Sequence, residues 1–136
     1  MRLKRAAALL VVAVAVAAPA VAATTRVSLK MTGGYAVRVI RACGEKSSHH
    51  YTLYHRGRRL GFSGRVTPAP RAGTAIKLKL KKCRGGNDFR TVRETTVRTG
   101  ANGRFSGAIA GSGRGDYWLR ASSGRVKSKK EQFRVP

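Results

Sequence analysis

Acidic side chains are scarce in this chain. Glu45, Asp88, Glu94, Asp116 and Glu131 are the whole set, 5 against 29 Lys and Arg. They are scattered, each beside basic residues, whereas carboxylate catalysis needs its acids gathered in one cleft. A paired-carboxylate hydrolase is therefore disfavoured. The acids are expected to form local ion pairs, with Asp88 and Asp116 also suited to cap turns. Cysteine is rarer still. Cys43 and Cys83 with His49, His50 and His55 match none of the structural zinc spacings, so no metal or other cofactor is expected. Helical periodicity is missing from every window of ten or more residues. There is also no G-x-S-x-G, P-loop or H-E-x-x-H pattern to carry chemistry.

The first 23 residues, by contrast, have a pronounced pattern. Arg2, Lys4 and Arg5 are followed by an unbroken apolar or Pro run from Ala6 to Ala23, rich in Ala and Val. A basic start, an apolar stretch and small residues at its end make a secretory signal peptide, expected to be cleaved after Ala22 or Ala23. A retained anchor is the competing possibility, since about 20 apolar residues span a bilayer. Pro19 and the weak apolarity of Ala argue against it. Residues 24–136 are then one domain, of a size that buries a modest core.

Export changes the meaning of the two cysteines and of the charge. An even pair in an exported chain is most simply a disulfide, here Cys43 to Cys83. The net charge is +24, and with the leader's three cations removed the remainder keeps 26 basic residues against all 5 acids, a net +21. Such a domain repels itself and attracts polyanions over a Debye length of about 10 Å. Outside a cell these are anionic wall polymers, anionic lipid surfaces and, non-specifically, nucleic acid.

Beyond the leader, apolar residues recur at every second position, which makes the fold all-β. In Ile76 to Lys81 three aliphatics alternate with three lysines, so one face is buried and the other carries ammonium groups. Leu60, Phe62, Gly64 and Val66 share a face until Pro68 and Pro70 end the run. Further strands are expected around Val27, Leu29 and Met31; Tyr35, Val37 and Val39; Tyr51 and Leu53; Phe105 and Ile109; Tyr117, Leu119 and Ala121; and Phe133 and Val135. Gly33-Gly34 and Asn102-Gly103 supply the turns. Between Phe89 and Val97 the alternation loses phase, which calls for a β-bulge or two short strands.

Three stretches resemble the short immunoglobulin-like β-sandwich domains of proteins secreted by high-GC Gram-positive bacteria. They are Phe62 to Pro68 with the strand Ile76 to Lys81 after it, the turn and strand Gly100 to Gly107, and Gly115 to Ala121. The resemblance covers residues 56–136. It implies an immunoglobulin-like antiparallel sandwich of about 7–9 strands, with Tyr117 as a structural tyrosine corner and Leu119 where antibody domains carry a cysteine. It implies a secreted, envelope-associated life and no catalytic activity. Residues 24–55 lie outside it and are expected to add first strands or a hairpin.

The functional expectation is a monomeric, non-enzymatic domain adhering to anionic envelope polymers. Its polyanion contacts are expected at Arg56, Arg58 and Arg59, at Lys77, Lys79 and Lys81, and at Lys127, Lys129 and Lys130. Alternatives are a cationic membrane-active or antimicrobial protein, and a small secreted nuclease or other hydrolase using the histidines. Exposed loop histidines without a role are favoured over that last possibility. Tyr51, Tyr54, His55 and Arg56 to Arg59 form the one aromatic and basic stretch suggestive of nucleic acid. It is more simply two tyrosines on opposite faces of a strand followed by a basic turn. Trp118, the sole tryptophan, is expected on the face opposite Tyr117 and Leu119, pointing outward as a glycan or lipid contact or covering a sheet edge.

Overall fold

The computed structural model describes residues 11–15, 24–111 and 113–136. The leader expected over residues 1–23 lies outside the described residues except for 11–15, which form no regular element. No described helix is long and apolar enough to cross a membrane.

Among the described residues the alternating runs form ten strands: β1 (Arg26–Thr32), β2 (Ala36–Ile40), β3 (His49–Leu53), β4 (Arg59–Thr67), β5 (Ala75–Cys83), β6 (Phe89–Arg98), β7 (Arg104–Ala110), β8 (Gly115–Ser123), β9 (Val126–Lys127) and β10 (Glu131–Val135). Two sheets face each other. The smaller is β1-β4-β7, and the larger runs β2-β3-β10-β8-β5-β6 with β9 added to β8. Without β2 and β3, the order is that of an immunoglobulin-type sandwich. Strands 1, 4 and 7 then take the places of A, B and E, facing 5, 8 and 10 as C, F and G.

Residues 24–55 supply both of the expected contributions, since β1 is the first strand of the sandwich and β2–β3 is an added hairpin. The hairpin makes the sheet less uniform than expected. It enters beside the last strand, so that β3 runs parallel to β10 while every other pair is antiparallel. The two-residue β9 accounts for the tenth strand, which no alternation pattern of that length could announce.

Inward parity follows the sequence pattern. Leu60, Phe62 and Val66 from the small sheet meet Ile76, Leu78, Leu80, Tyr117, Leu119, Ala121 and Phe133 from the large one, all buried in one cluster. Tyr117 and Phe133 stack with centroids 5.0 Å apart. The phase loss in β6 is a bulge within one strand: Leu80 faces Arg93 and Lys81 faces Thr91, leaving Val92 as the extra residue. Both Val92 and Val97 thereby pack against the core despite their odd spacing. The turn at Asn102-Gly103 has positive φ at both residues, 58° and 70°, as its composition suggested.

One strand departs from its pattern's meaning. β2 forms, yet Val37 and Val39 are 61% and 60% exposed. The large sheet overhangs the small one there, because β1 packs over β8, β9 and β10 and nothing comparable covers β2. Tyr35, just before this strand, stacks on His55 with centroids 4.2 Å apart.

The candidate polyanion-binding face

The outward side of the large sheet carries the cations. Because the register pairs Lys77 with Ser122, Lys79 with Arg120 and Lys81 with Trp118, the lysine face of β5 lies directly beside the outward residues of β8. Lys127 is brought alongside by the β8–β9 ladder, opposite Ser122. Ser128 then fixes the following turn. Its backbone N–H donates to the Ala121 carbonyl at 2.8 Å, and its hydroxyl accepts from the Ala121 N–H at 3.0 Å. This buried latch aims Lys129 and Lys130 back across the sheet.

A cavity of about 230 Å³ is lined by Lys77, Lys79, Lys81, Trp118, Arg120, Ser122, Lys127 and Lys130. A wider one of about 750 Å³ adjoins it, sharing Lys81, Trp118, Arg120 and Lys130 and adding Lys129, Phe89 and the carboxylates Glu45 and Asp88, which are engaged by His49 and Arg90. Between them they gather Lys77, Lys79, Lys81, Lys127, Lys129 and Lys130 on one face. Arg120 was missed from sequence, although its spacing of two from Trp118 and Ser122 was the available signal.

The arginines Arg56, Arg58 and Arg59 do not join this face. Arg56 and Arg58 occupy the exposed connection from β3 to β4, and Arg59, the first residue of β4, lines a separate cleft with Arg93 and Glu94. Of the three sets of expected contacts, the arginines therefore lie apart from the two sets of lysines. The chain crosses between sheets at that point, so sequence proximity to the strands does not bring the arginines to the same side. A second basic surface was not anticipated: Lys30, Arg65, Arg98 and Arg104 line a cavity of about 820 Å³ on the small sheet.

Trp118 does lie opposite the core, but it is only 6% exposed, so it is not the outward contact expected. Its ring has Lys130 Nζ 4.8 Å, Lys81 Nζ 5.1 Å and Arg120 Cζ 5.5 Å from the centroid, with the Phe89 ring at 6.3 Å. Cations are attracted to the negative face of an indole, and the alkyl stems of Lys and Arg cover apolar surface. Together these contribute to the burial of an outward Trp.

The disulfide reinforces the same side. Cys43, in the β2–β3 connection, is bonded to Cys83 at the end of β5, with Cα atoms 5.8 Å apart. In the sheet order β10 and β8 lie between β3 and β5, so the connection crosses their outer surface. Glu45 on this connection accepts from the Tyr51 hydroxyl at 3.0 Å and from Gln132 Nε2 at 3.1 Å. Burial, and then the bond to Glu45, raise the Tyr51 hydroxyl pKa. Unlike the antibody bridge, this one binds a strap to one sheet. Near the same end of β8 the Tyr117 hydroxyl donates to the Gly113 carbonyl at 2.6 Å, four residues upstream, the kind of bond that defines a tyrosine corner.

The remaining titratable groups are dispersed. Glu45 pairs with His49 at 3.2 Å, Asp88 with Arg90 at 3.0 Å, and Asp116 holds Arg134 bidentately at 2.6 and 3.1 Å. Lys79 approaches Glu94 at 3.5 Å across two half-exposed side chains, an arrangement worth little. His49 and His50 belong to β3, not to the polar loop expected, and His55 lies beyond its other end. No group of three metal-binding side chains occurs among the described residues. Tyr51 and Tyr54 do take opposite faces, Tyr54 entering the core against Phe133. No protein-family model matches the chain, and no curated protein matches it.

Proposed function

We propose that this is a secreted, non-enzymatic binding domain that adheres to anionic polymers of the cell envelope through the outer face of its large sheet. The observation that carries this is the imbalance on that face. Of Lys77, Lys79, Lys81, Arg120, Lys127 and Lys130, only Lys79 has a carboxylate partner among the described residues. Cations held together by a rigid sheet in excess of their counter-charges create a positive potential that a polyanion relieves, releasing its own counterions as it binds. The disulfide and the all-β fold suit an oxidising compartment.

The test is co-sedimentation of the purified protein with its own cell-wall fraction over a salt series. Binding should weaken steeply, with log affinity falling linearly against log salt, and replacing Lys77, Lys81 and Lys127 by Ala should flatten that slope. Binding that ignores salt would refute the mechanism.

A further inference from the structure

Three cations converge on one indole ring, and their arrangement suggests a ligand more specific than a diffuse negative charge. We infer that Lys81, Arg120 and Lys130 form a site for a phosphate group, the repeating anion of a phosphodiester polymer, and that Trp118 is the positioning residue that assembles it. This deepens the adhesion proposal and rests on it.

Two ammonium groups and a guanidinium within 5.5 Å of a single centroid repel one another. None has a carboxylate within ion-pair distance among the described residues; Glu45 and Asp88 line the wider cavity but pair with His49 and Arg90, and the contact the three cations share is the ring. In addition, Arg120 Nε is buried and has no hydrogen-bond partner. A buried donor left unpaired is costly, and an oxyanion reaching into the cluster would satisfy it. Point-charge ammoniums on two sides and a donor-rich guanidinium on a third suit a tetrahedral anion that offers oxygens in several directions. A carboxylate, with two coplanar oxygens, engages donors on three sides less completely.

The burial of Trp118 also bears on which phosphodiester fits. Nucleic-acid bases bind single-strand sites by stacking on open aromatic faces. Here the ring is 6% exposed and already covered by cations, leaving no face for a base. A polyol phosphate, recognised through its charge, needs no such face. The adjoining cavities of about 230 and 750 Å³ leave room along the cluster for successive repeats.

Trp118 is the only tryptophan, so its fluorescence reports on this site directly. The purified protein is titrated at constant ionic strength with poly(glycerol phosphate), with polygalacturonate of equal charge, with single-stranded DNA, and with vesicles containing phosphatidylglycerol. The expected result is a saturable emission change with poly(glycerol phosphate), reversed by inorganic phosphate and absent with the polycarboxylate. A matching response to vesicles alone would place the phosphate on a lipid headgroup. Trp118→Leu should weaken sedimentation with poly(glycerol phosphate) about tenfold, whereas Trp118→Phe, which keeps a π face, retains most of it. Lys81→Ala with Lys130→Ala, at positions outside the core, should reproduce the loss in protein that remains folded.

An equal emission change with polygalacturonate, a stronger one with DNA, or unaltered affinity in Trp118→Leu overturns the inference. If poly(glycerol phosphate) binds with steep salt dependence while Trp118 is silent, this site fails and the adhesion proposal stands. If neither this polymer nor the wall fraction binds, both fail.

Discussion

Strands β5 and β8 present two opposite surfaces from the same backbone. On the inner side Ile76, Leu78, Leu80, Tyr117, Leu119 and Ala121 are all fully buried. On the outer side, one residue out of step, stand Lys77, Lys79, Lys81, Trp118 and Arg120. The apolar side stabilises the sandwich by removing hydrocarbon from water, and the cationic side opposes it by crowding like charges. Alternation confines these opposed tendencies to different faces, and a register slip of one residue would exchange them. The outer side is therefore held by other means: the disulfide strap, the Glu45 hydrogen bonds and the cations gathered on Trp118.

The sharpest way to break this contrast is to release the strap. Replacing Cys43 and Cys83 by Ser opens a loop with a sequence separation of 40. The chain-entropy model puts the cost at about 4 kcal/mol. Urea unfolding with and without the pair measures it. A loss far below this would mean that the strap's polar contacts hold the outer face by themselves.

Next in size is a direct comparison of neighbours. Leu78→Ala should cost about 3 kcal/mol, because the cavity it leaves lies between two sheets that cannot collapse freely. Lys79→Ala, one residue away, should change stability by less than about 0.5 kcal/mol, since its pair with Glu94 is half-exposed. Wall binding should respond the other way round, weakening in Lys79→Ala and persisting in whatever Leu78→Ala protein remains folded. If both variants lose stability alike, the two faces are not independent.

Parity was the part of the fold legible in the sequence, and the core followed from it. Leu60 to Val66, Ile76 to Leu80 and Tyr117 to Ala121 needed only the period of a strand, because each is covered by the facing sheet. Val37 and Val39 have the same pattern and are exposed, since alternation states which residues share a face but not whether another sheet reaches that face. The β3–β10 parallel pair joins strands about 80 residues apart, which no local signal encodes. The site was legible in the same measure. Lysines on the β5 face and after β9 were readable, but their meeting with Arg120 over Trp118 depends on the β5–β8 register and the Ser128 latch. Arg56, Arg58 and Arg59 were expected as contacts for their charge, which does not state the side of the molecule on which they lie.

Tyr54 gives the smallest effect at neutral pH and sharpens the inner side of the comparison. Its ring packs edge-on against Phe133, but its hydroxyl is buried without a hydrogen-bond partner. Burial first, and the charge of Glu131 second, push that hydroxyl from its ordinary 10.0 up to about 12. Below pH 10 it is protonated in both the folded and the unfolded chain, so stability does not depend on its titration. Above pH 10 the unfolded chain releases the proton first, and stability falls until the folded protein follows near pH 12. The slope over that window is about 1.4 kcal/mol per pH unit for one such group. Tyr54→Phe removes an unpaired polar atom while keeping the ring. It should leave stability at pH 7 within about 0.5 kcal/mol of the original, or slightly above it. Between pH 10 and 12 the variant should lose stability less steeply, by about one proton, while Tyr51, whose hydroxyl is also raised, continues to contribute. Urea midpoints at pH 7, 10 and 11 distinguish the outcomes: an unchanged alkaline slope would mean that water reaches the Tyr54 hydroxyl, and that the inner side is less dry at β3 than at β5 and β8.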